Sequence, residues 1–177
     1  CWSNPTGFRR EKFTKPDLKE RKKITWQKDF LFFSKAALLA LEKIKFQPKI
    51  IHVHDWPTAN ICNLTFGHSG DFFKKTKTLL TIHNLEHQNY ADRQSLKAAG
   101  LATENFSAFA ASQTNSNYYN TLAAGISSAD CVNTVSPTYA LEIARQEKNS
   151  ELKNAFLKHK RPLGILNGID TGYFNPQ

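Results

Sequence analysis

Two short runs end on side chains that can do chemistry. Lys49-Ile50-Ile51-His52-Val53-His54 is rich in β-branched residues and leads into Asp55; Thr78-Leu79-Leu80-Thr81-Ile82 leads into His83-Asn84. A carboxylate at a strand end can accept a hydrogen bond from a sugar hydroxyl or take part in proton transfer. The same Asp55, standing before Trp56-Pro57, can equally cap the helix that follows. An imidazole at the end of a second strand can donate to a hydroxyl or, when charged, stabilise a phosphate. His52 and His54 share one strand face because side chains alternate along a strand. They could hold zinc or serve as hydrogen-bonded core histidines, and no convincing further set of metal ligands follows in the sequence. Ser136-Pro137-Thr138 and Asn167-Gly168 complete the polar positions that fall at predicted element ends.

The elements that must position these groups follow from periodicity. Apolar Phe30, Phe33, Ala37, Leu41 and Ile44 recur at three- and four-residue steps, which predicts a helix over 27–46 stopped by Pro48. Pro57 suits the first turn of a helix running to about Phe66, and Ser136 with Pro137 is good helix-start chemistry. Strands are expected at 49–54, 78–82, 131–135 and 164–167, and helices at 117–128, 137–147 and 150–158, with loop and short helical pieces over 85–115. The strands are continuous apolar runs, as in parallel sheets covered on both faces. Their alternation with helices predicts a doubly wound α/β domain, whose ligand crevice lies beyond the carboxyl ends of the strands. Asp55, His83, Asn84, Ser136 and Asn167 fall at those ends.

Composition narrows the class. The chain has 177 residues, 40% hydrophobic and 22% charged, as an ordinary globular domain does. No apolar run approaches the roughly 20 residues of a membrane span, so no membrane partner is expected. Of the net charge of +9, the first 50 residues carry +8 (13 Lys or Arg less 5 acids). No RNA-binding or helix-turn-helix signature accompanies this charge, which reads as a solvated basic surface with no nucleic-acid partner. Cys62 and Cys131 lie in apolar stretches and are expected as buried thiols in a reducing compartment. A sequence without Met that opens on Cys1 reads as a processed or excised piece. Residues 1–25 are expected to be an irregular basic segment, and 26–177 the folded domain. Walker, Gly-x-Gly-x-x-Gly and Gly-x-Ser-x-Gly motifs are absent.

Taken together, 48–56 (PKIIHVHDW), 80–85 (LTIHNL), 129–143 (ADCVNTVSPTYALEI) and 164–170 (GILNGID), preceded by 32–38 (FFSKAAL), resemble in order and spacing the bacterial glycogen synthase and plant starch synthase family, glycosyltransferase family 5. The resemblance covers residues 26–177. It implies the Rossmann-like N-terminal, acceptor-side half of a GT-B glycosyltransferase. It implies retaining transfer of glucose from ADP-glucose to the non-reducing end of an α-1,4-glucan, with ADP-glucose as donor substrate and neither metal nor other cofactor. By the same resemblance His83 contacts the donor glucose and its carbonyl faces the developing cation. Asp55 and Asn84 line the sugar site, and Asn167 helps hold the donor side. A cationic anomeric centre calls for nearby oxygen dipoles, and a leaving diphosphate for cations.

The chain departs from the family pattern in places. The Lys-Thr-Gly-Gly-Leu loop with its strand, and the C-terminal domain, have no counterpart in it. Pro57 stands where the family has His, and Glu86-His87 where it has Ala-Tyr; the Tyr and Asp-Asn of the family before the first helix become Trp26-Gln27-Lys28-Asp29. The fragment alone is therefore expected to show no turnover. The resemblance implies a bacterial cytoplasm or, in a plant or alga, the plastid stroma. The competing readings are a non-catalytic glucan-binding protein built from the same domain and a metal-dependent hydrolase using His52, His54 and His83.

Overall fold

The computed structural model describes residues 18–67, 71–102, 104, 106, 109–110, 117–145, 150–157, 159 and 162–175, with the side chains of 18–26, 66, 67 and 150 outside the description. Of the segment expected to be irregular, 1–17 lie outside the described residues, while 18–25 belong to helix α1 (Leu18–Lys43). After it come β1 (Ile50–His54), α2 (Asp55–Gly67), β2 (Lys77–Ile82), β3 (Tyr90–Asp92), α3 (Arg93–Ala99), β4 (Tyr118–Asn120), α4 (Thr121–Ser128), β5 (Cys131–Thr134), α5 (Pro137–Ala144), α6 (Ser150–Phe156) and β6 (Leu163–Gly164). The main sheet runs β1-β2-β5-β6, all pairs parallel, so a strand stands at or beside each expected one, the last as Leu163–Gly164 where 164–167 was expected. The α/β class read from the sequence is the class observed.

Register explains which residues are buried. Val53 pairs with Leu80 and Leu80 with Val132, so their side chains share a face; Ile82 follows on it. All four are buried, and α2, flanked by α1 and α4, packs over them. The opposite face carries Ile50, His52 and His54, then Leu79 and Thr81, then Cys131 and Asn133. Ile50, His52, His54 and Cys131 are exposed there. Cys131 is thus a surface thiol and not the buried one its neighbours suggested, because it points to the polar face; Cys62 is buried as expected.

Helix α1 is turned from the orientation its periodicity suggested. Leu31, Ser34 and Leu38 are buried, whereas of the expected stripe Phe33 is 53% exposed, Ile44 falls beyond the helix end, and Phe30 and Leu41 pack along the edge of the contact. The helix is apolar on two sides, so spacing alone does not choose the one that meets α2.

Close backbone approaches fix the helices on the sheet. A Cβ on Gly125 would lie 2.6 Å from the Ala59 Cβ and 2.7 Å from the Ala59 carbonyl oxygen, so α2 and α4 touch almost backbone to backbone. A Cβ on Gly164 would overlap the backbone of Ser136 and Pro137, which brings β6 against the start of α5. At the other end of the sheet, Asp130 accepts from the Thr78 amide at 2.9 Å and hydroxyl at 3.1 Å and pairs with Lys77 at 2.9 Å. Burial works to raise the Asp130 pKa, but the Lys77 and Thr78 hydrogen bonds outweigh it and hold the carboxyl below its ordinary value.

Candidate active site

The strand ends converge as the doubly wound topology requires. β1 delivers Asp55 and β2 delivers His83 to one rim of the sheet. There the Asp55 Oδ1 accepts the His83 backbone N–H at 2.7 Å and, more weakly, that of Asn84 at 3.4 Å. Asp55 makes this contact from a left-handed backbone with φ of 53°. Asp and Asn are enriched in that region among non-glycine residues, though Lys45 also adopts it with φ of 56° in the turn after α1, and strain of this kind collects at functional sites. The capping alternative gives way because Asp55 is itself the first residue of α2 and its Oδ1 accepts from another strand's exit, while the Thr58 hydroxyl receives the His54 N–H and donates to the His54 carbonyl, both at 2.8 Å. The Asp55 carboxylate instead braces the neighbouring strand's exit.

The loop after β2 is held from its other side as well. The Leu85 N–H donates to the Tyr139 hydroxyl at 2.8 Å, and Asn84 Oδ1 accepts from the Glu86 N–H at 2.9 Å, closing a local turn. Tyr139 is placed by the expected helix start: Pro137 opens α5 and Ser136 Oγ accepts the Tyr139 N–H at 2.9 Å. The result is a cavity of about 600 Å³, in the range of small-ligand sites. Its polar lining is His83, Asn84, Glu86, Gln88, Tyr139 and Glu142; Leu85, Val135 and Leu152 supply apolar wall. Gln88 is anchored in turn, since its side-chain oxygen accepts from Asn120 at 2.6 Å while Asn120 also donates to Glu151 at 3.1 Å.

On the polar sheet face the histidines bond sideways. His52 Nε2 lies 2.7 Å from the Thr81 hydroxyl, which donates to Asn133 Oδ1 at 2.6 Å. Thr81 has one proton and spends it on Asn133, so His52 Nε2 is the donor to Thr81. His54 Nδ1 lies 3.0 Å from His83 Nε2. Burial, then the neighbouring His52 and His83, lower the His54 pKa below the usual imidazole value, against the pull of Asp55. Among the described residues no group of three His, Cys, Asp or Glu side chains is arranged to hold a metal ion.

Of the sequence-derived site residues, the structure brings Asp55, His83 and Asn84 together. Asn167 lies exposed on the segment after β6, outside the cavity lining. Sequence reasoning missed Tyr139, Glu142 and Gln88, and met Glu86 as a departure from the family pattern. Tyr139 had a usable signal: three residues beyond a Ser N-cap and close to a strand end, an amphipathic ring points its hydroxyl toward the rim.

Parallel strands whose polar ends meet at one rim cavity define a Rossmann-like α/β ligand-binding domain. The structure is similar to the catalytic domain of starch synthase IV from Arabidopsis thaliana bound to ADP and acarbose, with a TM-score of 0.73 at 31% identity, covering 92% of this chain and 32% of that one. The fold is accordingly that of part of a GT-B glycosyltransferase catalytic domain. In sequence it is 38% identical over 153 residues to a glycogen synthase of Geotalea daltonii, covering 83% of this chain and 31% of that protein. A glycogen synthase of Moorella thermoacetica is 42% identical over 153 residues, with 83% of this chain and 30% of that protein covered. The starch synthase catalytic domain family matches residues 3–158, and the chain belongs to it. It spans less than a third of the length of these curated relatives. Among the described residues no helix is long and apolar enough to cross a membrane.

Proposed function

We propose that this chain supplies the His83 side of the cleft in a retaining glucosyltransferase that moves glucose from ADP-glucose to the non-reducing end of an α-1,4-glucan. The observation that carries the reading is the Asp55 clamp: one carboxylate fixes the backbone of His83 at the sheet rim, where the loop lines a cavity. Family membership supports the reaction class. A neighbour that binds ADP and acarbose supports a nucleotide donor and a glucan-like acceptor. The charged lining of the cavity, Glu86 and Glu142, suits a neutral ligand rich in donating hydroxyls. His83 would face the reacting sugar, Asp55 and Asn84 would shape the loop that presents it, and Asn167 would act on the donor side. Asn167 needs a partner surface for that, because it stands clear of the cavity. Metal and other cofactors have no part in the proposed reaction, and we place it in a soluble compartment, a bacterial cytoplasm or a plastid stroma.

The test is glucosyl transfer from radiolabelled ADP-glucose to glycogen by the longest natural polypeptide that carries this chain, beside its His83→Ala variant and the chain alone. Transfer by the first, and background from the other two, is expected. Undiminished transfer by His83→Ala would remove the assignment. The placement of Glu86 in the cavity, where the family has a small residue, favours one second reading: a glucan-binding protein without transfer. Retention of glycogen by the long polypeptide with no incorporation of label would put that reading first.

A further inference from the structure

We propose that His54 is a positioning residue for His83, fixing its ring and deciding which ring nitrogen carries the proton on the side that meets the sugar. The proposal rests on the reading of His83 given above and assigns it a partner.

His54 Nδ1 and His83 Nε2 are 3.0 Å apart, a hydrogen-bond distance between two nitrogens. One proton fits between them, so the contact requires at least one bare ring nitrogen. With Nε2 engaged, only Nδ1 of His83 is left for a ligand. A neutral imidazole bears a single proton, so the two nitrogens of His83 are reciprocal. If His54 donates, His83 presents an N–H at Nδ1; if His83 donates, it presents a lone pair. A sugar hydroxyl or glycosidic oxygen meets these two states differently.

His54 is built to hold this position. Its ring packs against that of His52, tilted by 37° with centroids 4.3 Å apart. His52 is tied through Thr81 to Asn133, both of them buried. The His54 backbone N–H is fixed by Thr58. The titratable groups around the pair are His52 on the same strand, Asp55 at its end, and Glu86 and Glu142 across the cavity. The depression of the His54 pKa agrees with a neutral partner.

Two variants separate positioning from mere support. His54→Phe keeps a stacking ring and loses the nitrogen; His54→Asn returns a polar atom near the Nδ1 position. In the long polypeptide, His54→Phe is expected to lower kcat by about 10- to 100-fold, as loss of a fixed geometry does. KM should stay within about threefold, the acid limb of the kcat profile should move, and His54→Asn should recover part of kcat. In the ¹⁵N-labelled chain, the two ring nitrogens of His83 should give distinct signals that average toward each other in His54→Phe. Unchanged kcat, or a loss confined to KM and equal at every pH, would overturn the proposal. So would unchanged His83 ring signals. The ring signals need no turnover: if the native polypeptide transfers no glucose, the transferase reading falls, and the pairing still stands or falls on the spectrum.

Discussion

Asp55 sets a strained backbone against a clamp, and substitution there can weigh the two. Its Oδ1 accepts the His83 N–H at 2.7 Å, while its φ is 53°. A hydrogen bond to a charged group contributes about 1.5–3 kcal/mol, and roughly half of that remains when the acceptor is neutral. An ordinary L-residue pays about 1–2 kcal/mol in the left-handed region, Asn and Asp less, Gly nothing. Asp55→Asn keeps an acceptor and a tolerant backbone, so it should cost about 1 kcal/mol. Asp55→Gly relieves the strain but loosens the unfolded chain by a similar amount, leaving the lost hydrogen bond, about 2 kcal/mol. Asp55→Ala loses the bond and keeps the strain, about 3 kcal/mol. Urea denaturation of the full chain gives the order, and amide exchange at His83 and Asn84 reports the clamp directly; exchange should accelerate in the Gly and Ala variants and little in Asn. If Asp55→Gly proves as stable as the native chain, the carboxylate contributes nothing and the argument for a clamp is wrong. If Gly costs about 1 kcal/mol more than Ala, as its looser unfolded chain alone would make it, the backbone at 55 is not strained.

Three further outcomes are expected. Gly125→Ala gains about 1 kcal/mol of helix propensity, yet its Cβ would lie 2.6 Å from that of Ala59, and overpacking of about 1–3 kcal/mol should make the variant less stable on balance in a denaturant titration. The lowered pKa of Asp130 means a contribution complete above its unfolded value, about 3.9, and lost as pH falls through the lower folded value. Asp130→Asn should therefore be less stable by about 1 kcal/mol at pH 7 and should converge with the native chain in acid unfolding curves. Asn60 is 1% exposed and neither of its amide atoms finds a partner among the described residues, so Asn60→Leu, of similar volume, should raise the urea midpoint by the equivalent of about 1–2 kcal/mol.

What could be read in advance follows from how local the signals are. The first three parallel strands are short apolar runs bounded by polar residues, and Ser136-Pro137 is a start signal complete within two residues; these are where the spacing puts them, whereas β6 pairs at Leu163–Gly164, a step before the apolar run that suggested it. The antiparallel β3–β4 pair was hidden. Tyr118-Tyr119-Asn120 runs directly into α4, with Asn120 serving as last strand residue and helix cap at once, so the whole stretch reads as helix. Its partner Tyr90-Ala91-Asp92 has no alternation long enough to register, and Asp92 likewise caps α3. The site divides in the same way. Asp55, His83 and Asn84 were accessible because strand ends locate a rim. Thr81, Asn133 and Tyr139 were not, since their roles come from register between strands and from a contact spanning 54 positions.

One side of the sheet is closed by apolar packing, and the imidazoles of His52, His54 and His83 all stand exposed on the other, above the buried Thr81 and Asn133. Protons and hydroxyl-bearing solutes thus reach the rim without any parting of the layer formed by Val53, Leu80, Ile82 and Val132. Protonation of His54, set below the usual imidazole range, can rearrange its bond to His83 while the apolar layer stays shut, so loss of the site and loss of the fold become separable events along one pH axis.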